Sequence, residues 1–193
     1  MVVKLSILKR CNDKGKVITS YLWYERHAGT PTTYQVPPLY HAMTYDLADI
    51  AEWLITSCSQ DPDKLCYDRT PLFKASGNGN LKIAQLLIKN GADVNAPCIN
   101  SWHPLYTASS GGHLETMQLL IESGADINAR SNHCCKLTTL PLATREGHLD
   151  VVQVLLENDA DPNIHRWDFH RAWQRGHLEV VHLLLEYSAK ELP

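Results

Sequence analysis

The chain has 193 residues, 44% hydrophobic and 20% charged, with a formal net charge of −3. That composition supports one domain with a sizeable core and sets aside a disordered chain. Acidic and basic residues are interspersed without a basic block, no apolar run reaches the ~18–20 residues of a membrane span, and Met1–Arg10 lack the apolar stretch of a secretory signal, so neither nucleic acid nor membrane is an expected partner.

Residues 1–36 carry a faint copy of a pattern that sharpens after them. Leu8, Cys11, Gly15 and Val17 fill its leucine, alanine, glycine and leucine columns, and Ile18, Leu22, Trp23 and Tyr24 predict a second helix. From residue 37 on, Leu39, Leu72, Leu105, Leu140 and Phe169 follow one another at 33, 33, 35 and 29 residues. Three residues after each stands an alanine: Ala42, Ala75, Ala108, Ala143 and Ala172. The turn position beyond it holds Asp46, Gly79, Gly112, Gly147 or Gly176. Asn80-Leu81 or a His-Leu pair (113–114, 148–149, 177–178) comes next, then an apolar helical stretch such as Ile83, Ala84, Leu86, Leu87 and Ile88. Three modules close on GADVN (Gly91–Asn95), GADIN (Gly124–Asn128) and DADPN (Asp159–Asn163).

Each module therefore reads helix, turn, helix, glycine ending and hairpin loop. Thr70-Pro71 supplies a helix cap followed by proline in the first turn. Gly91 and Gly124 stand where a helix ends on a left-handed residue. The alanine column is small because two helices approach closely there. One such module cannot bury its apolar face alone, so the modules must stack. The expected divisions of this single domain are 1–36, 37–69, 70–102, 103–137, 138–166 and 167–193, the first and last acting as divergent caps.

The stretch TPLFKASGNGNLKIAQLLIKNGADVNA at Thr70–Ala96 closely resembles the ankyrin-repeat family, and the likeness covers residues 37–187 well and 1–36 weakly. The resemblance implies an all-α solenoid of stacked helix-turn-helix modules with hairpin-like fingers on one side. Three departures stand out. The finger before Thr138 is two residues longer than the norm, the finger before Trp167 is about four shorter, and Asp159 replaces the usual glycine, where a less regular helix ending is expected.

Ten histidines invite a metal or catalytic reading. His113, His148 and His177 sit in the repeat's Gly-His turn and His170 in the family's Thr-Pro-Leu-His column, so all four are read as structural, bonding to nearby backbone. His177 and His182 are five apart, and on a helix their rings diverge by roughly 140°. The six cysteines, Cys11, Cys58, Cys66, Cys98, Cys134 and Cys135, follow no small-scaffold spacing, and no Asn-x-Ser/Thr sequon is present, so reduced thiols in a cytoplasmic or nuclear protein are expected. Cys66, Cys98 and Cys134 recur once per module, and layers spaced about 8–10 Å apart do not bring sulfurs around one zinc. His133 with Cys134 or Cys135 and His165 makes at most a partial metal site, without a C-x-x-C pair. Gly77-Asn78-Gly79-Asn80 lacks the strand and the Gly-Lys-Ser/Thr of a phosphate loop, and no Gly-x-Ser-x-Gly elbow flanks Ser109 or Ser110. No cofactor, no metal and no catalysis are expected.

In the family, partners usually meet the finger tips and the concave face of the first helices. The matching variable positions here are Thr44, Tyr45, Tyr67, Arg69, Asn78, Ile99, Asn100, Trp102, Ser110, Leu137, Arg145, Glu146, Arg166, Gln174 and Arg175. Trp, Tyr and Arg are the usual anchors of interfaces, and the fold does not demand Trp102, Tyr67, Arg69 or Arg145. The expected function is a non-catalytic scaffold or adaptor for a protein partner. The alternatives are a pathway regulator such as a transcription co-regulator, and an enzyme or small-molecule binder with a specialised groove. A deep pocket with convergent His, Glu or Cys would favour the last. Finally, Trp173 stands in the column of Met43, Ser76, Ser109 and Thr144. It is read as a buried lid on the last module of a monomer or at most a weak end-to-end dimer, extended by Trp167 and Phe169.

Overall fold

Thr70 and Pro71 show how a helix pair starts. The Thr70 hydroxyl accepts the Phe73 N–H at 3.1 Å, and Pro71 takes an opening helical position, where its missing N–H costs nothing. His103 and Pro104 repeat the opening in the next module. The computed structural model describes residues 7–11, 17–21, 38–58, 61–98, 102–131, 138–162 and 166–190. Among these, such signals give five helix pairs. They are α1 (Pro38–Thr44) with α2 (Ala48–Cys58), α3 (Pro71–Gly77) with α4 (Leu81–Lys89), and α5 (Pro104–Ser110) with α6 (Leu114–Glu122). α7 (Thr139–Glu146) with α8 (Leu149–Glu157) and α9 (Arg166–Gln174) with α10 (Leu178–Lys190) complete the stack.

First helices pack on first helices and second on second, giving two layers that run the length of an all-α stack. The repeat columns form the core. Leu39, Leu72, Leu105 and Leu140 are at most 2% exposed, and the five alanines are as deeply buried. Met43, Ser76, Ser109 and Thr144 are wholly enclosed between modules, and the hydroxyls of the last three make no hydrogen bond. The expectation that Trp173 is a buried lid is not met. Its ring is 57% exposed and that of Trp167 67%.

The modules are also stitched by polar side chains. The Gly112 turn, at φ +69°, lies against the His148 ring of the next module, and His148 Nε2 donates to the Ser110 carbonyl at 3.0 Å. His113 bonds the Gly77 carbonyl in the same way at 3.2 Å, and His177 packs on Gly147. His170 is different. It is exposed and faces the Trp167 ring at 6.5 Å. At the fingers, Asn95 accepts from the Asp126 N–H at 2.8 Å and donates to the Gly124 carbonyl at 3.0 Å. Asn128 repeats this with the Asp161 N–H and the Asp159 carbonyl. These bonds explain why GADVN and GADIN end on asparagine.

Two expectations need correction. Asp159 does not loosen the end of α8. It adopts φ +61°, the left-handed conformation that Gly91 and Gly124 hold, and Ala160 N–H still reaches the Leu155 carbonyl at 3.0 Å. Among the described residues 7–11 and 17–21, the expected helices of the first module are also absent. Strands β1 (Ile7–Cys11) and β2 (Val17–Tyr21) pair antiparallel, from Ile7 opposite Tyr21 to Cys11 opposite Val17. Val17, Ile18 and Thr19 are β-branched, which favours a strand over a helix. The long finger before Thr138 falls mainly on residues 132–137 and the short one before Trp167 on 163–165, outside the described residues.

Candidate interaction surface

The finger between α2 and α3 holds Tyr67 and Arg69. Cys66 and Arg69 exchange backbone hydrogen bonds of 2.9 and 3.2 Å, which leaves two residues to make the turn. Tyr67 (φ +52°) and Asp68 (φ +56°) are both left-handed, the geometry of a primed hairpin turn that normally takes Asn-Gly. A tyrosine there is strained, and its ring is 60% exposed. The Arg69 guanidinium lies over the Phe73 ring, 5.6 Å from its centre. Its charge also acts on the Tyr40 hydroxyl, whose pKa is raised mainly by burial and partly lowered again by Arg69.

Trp102, in front of α5, is half-buried. Its ring stacks on Tyr106 with centres 4.8 Å apart and planes at 29°. Burial raises the Tyr106 pKa, and the nearby Arg145 charge opposes that while Asp168 adds to it. Arg145, Glu146 and Arg175 form a connected group. Arg145 Nε donates to Glu146 Oε1 at 3.0 Å. Arg175 Nη1 donates to Glu146 Oε2 at 3.0 Å and to the Arg145 carbonyl at 2.9 Å. Burial alone would raise the Glu146 pKa, but the bonds from both arginines outweigh it and hold the carboxyl below its usual range.

The remaining positions divide. Thr44, Tyr45, Arg166 and Gln174 are exposed at the ends of α1 and α9. Asn78 donates to the Met43 carbonyl at 3.2 Å and Ser110 lends its carbonyl to His148, so both also hold modules together. Ile99, Asn100 and Leu137 lie outside the described residues, as do His133, Cys134, Cys135 and His165. Among the described residues no three His, Cys, Asp or Glu side chains converge as metal ligands. Cys66 and Cys98 are free thiols and both are buried, and burial pushes both pKa values up. Cys98 Sγ accepts the Thr70 N–H at 3.3 Å, a structural contact between modules.

An open notch of about 380 Å³ lies between the first two helix pairs, lined by Met43, Thr44, Asp46, Lys74, Asn78, Gly79 and Asn80. Asn80 bonds Asp46 and Asn78 bonds Met43, so much of its polar lining belongs to the seam between modules. Tyr40 and Tyr106 were not among the expected site residues. Both directly follow a core leucine, in the column that holds Phe73, Pro141 and His170 elsewhere, and reading down that column reveals them.

Among the described residues no helix is long and apolar enough to cross a membrane. Comparison with curated proteins finds no match. The family model of ankyrin repeats (3 copies) matches residues 10–98, 39–131, 97–166 and 128–192, and such repeats are protein–protein interaction modules. With these matches laid end over end along stacked helix pairs that repeat the same buried columns, the chain belongs to the ankyrin-repeat family.

Proposed function

We propose that this protein is a non-catalytic scaffold or adaptor of the cytoplasm or nucleus. It holds a protein partner against its finger tips and the inner face formed by the first helices. The observation that carries this reading is Tyr67. A bulky ring in a left-handed turn is held there by its surroundings at a cost of order 1–3 kcal/mol. The residue is 60% exposed, so much of this side chain lies at the surface of the finger tip. Trp102 and Tyr106, stacked and half-buried, and the Arg145 group extend the same kind of surface along the stack. Rigid aromatics and arginines are the residues that dominate binding energies.

The test is quantitative capture of partners from native cells with the unmodified chain and with Tyr67→Ala, Trp102→Ala and Arg145→Ala. Each truncation at an anchor costs about 2 kcal/mol, or roughly thirtyfold in affinity. Three variants with unchanged circular dichroism that retain the same partners in the same amounts would place the interface elsewhere.

A further inference from the structure

Charge is divided between the two helix layers. The second helices carry eight carboxylates against three lysines. The first helices carry four cations, Lys74, Arg145, Arg166 and Arg171, against two carboxylates, Glu146 and Asp168, and Asp168 is buried. Arg69 and Arg175 flank that layer, as do the carboxylates of Asp46 and Asp68, so it keeps a small positive excess. In a chain of net charge −3, the first-helix layer is thus cationic and the second-helix layer acidic.

Within the cationic layer, two guanidinium groups share the single carboxylate of Glu146, leaving the group with a net positive charge. The Arg145 side chain is 28% exposed and the Arg175 side chain 43%. Arg145 spends its Nε on Glu146, and among the described residues nothing else pairs with its terminal nitrogens. Fixed, partly desolvated N–H donors of this kind suit a planar carboxylate, and holding them in place beforehand lowers the cost of binding. The Trp102–Tyr106 stack is close by, near enough for the Arg145 charge to act on the Tyr106 hydroxyl.

We infer that the segment recognised by the inner face is an acidic peptide, one of whose carboxylates is received by Arg145 and Arg175 beside the Trp102–Tyr106 stack. The inference rests on the reading that the inner face is the binding surface, and it adds the chemistry of the partner. A protein segment fits better than nucleic acid. Glu146 interrupts the cations, and a polyphosphate backbone calls for a continuous basic stripe.

The test begins with selection of short random peptides on the immobilised full chain. Selected peptides should be enriched in Asp and Glu over the starting library. Their affinity should fall about tenfold or more in Arg145→Gln/Arg175→Gln, and not in Lys82→Gln/Lys89→Gln, which removes the same charge from the outer face. Glu146→Gln removes the built-in competitor and should tighten binding by about threefold, a gain that misfolding does not imitate. Peptides without acidic enrichment that still depend on Trp102 would overturn the acidic class and leave the inner-face reading standing. Equal losses in the two double variants would reduce the effect to net charge and overturn the clamp. A single-stranded RNA that binds more tightly than the peptides and is lost in the same variant would assign the clamp to phosphate. A selection yielding no binders would remove both this inference and the reading beneath it.

Discussion

Two glycines of one module, Gly112 and Gly124, separate backbone strain from the fit between modules. Both are left-handed, at φ +69° and +89°. A Cβ on Gly124 meets nothing within 4 Å, whereas one on Gly112 lies 2.7 Å from His148 Nδ1. Gly124→Ala therefore bears only the left-handed penalty of roughly 1–2 kcal/mol, reduced by the lower entropy of the unfolded alanine chain. Gly112→Ala bears the same penalty and must also displace the His148 ring. That breaks the 3.0 Å bond to the Ser110 carbonyl, at about 1 kcal/mol, with some lost packing between the third and fourth helix pairs. We expect Gly112→Ala to cost about 3 kcal/mol and Gly124→Ala about 1 kcal/mol. Urea unfolding followed by far-UV circular dichroism reads both, provided the transition stays single. His148→Ala should then cost less in the Gly112→Ala background than in the unmodified chain, because the ring no longer fits there. Equal costs for the two glycine variants, or an unchanged cost of His148→Ala, would refute the argument that the turn is shaped to receive the neighbouring histidine.

Asp159→Gly should raise stability by about 1 kcal/mol, because glycine adopts the φ +61° of this helix ending without the penalty an L side chain meets. The same unfolding experiment checks it, and a loss would show that the Asp159 side chain supports the ending in some other way. Ser109→Ala should also stabilise, by about 1 kcal/mol, since the buried hydroxyl has no hydrogen-bond partner to lose. A destabilised variant would mean that the hydroxyl is satisfied in solution.

Much of this protein is legible in its sequence because a repeat writes the same physical demand several times. One leucine in an apolar helix says little, but Leu39, Leu72, Leu105 and Leu140 at near-constant spacing fix both the core column and the order of the modules. The alanine column, the Thr70-Pro71 opening and the glycine endings are local signals that the stack then uses as they stand. Where residues depend on neighbours distant in sequence, the chain alone decided less. Asp159 looked like a defect, yet the Ala160 bond and the Asn128 ladder hold it in the glycine conformation. Val17–Tyr21 fitted a degenerate repeat column, but pairing with Ile7–Cys11 made it a strand. Trp173 looked like a lid because of its column, and whether that column is covered depends on what packs beyond α9. The interaction surface divides in the same way. The kinds of residue at Tyr67, Trp102 and Arg145 were readable from position. The sharing of Glu146 by Arg145 and Arg175 arises only when side chains from successive modules meet in space, whereas Trp102 stacks on Tyr106 only four residues further along the chain.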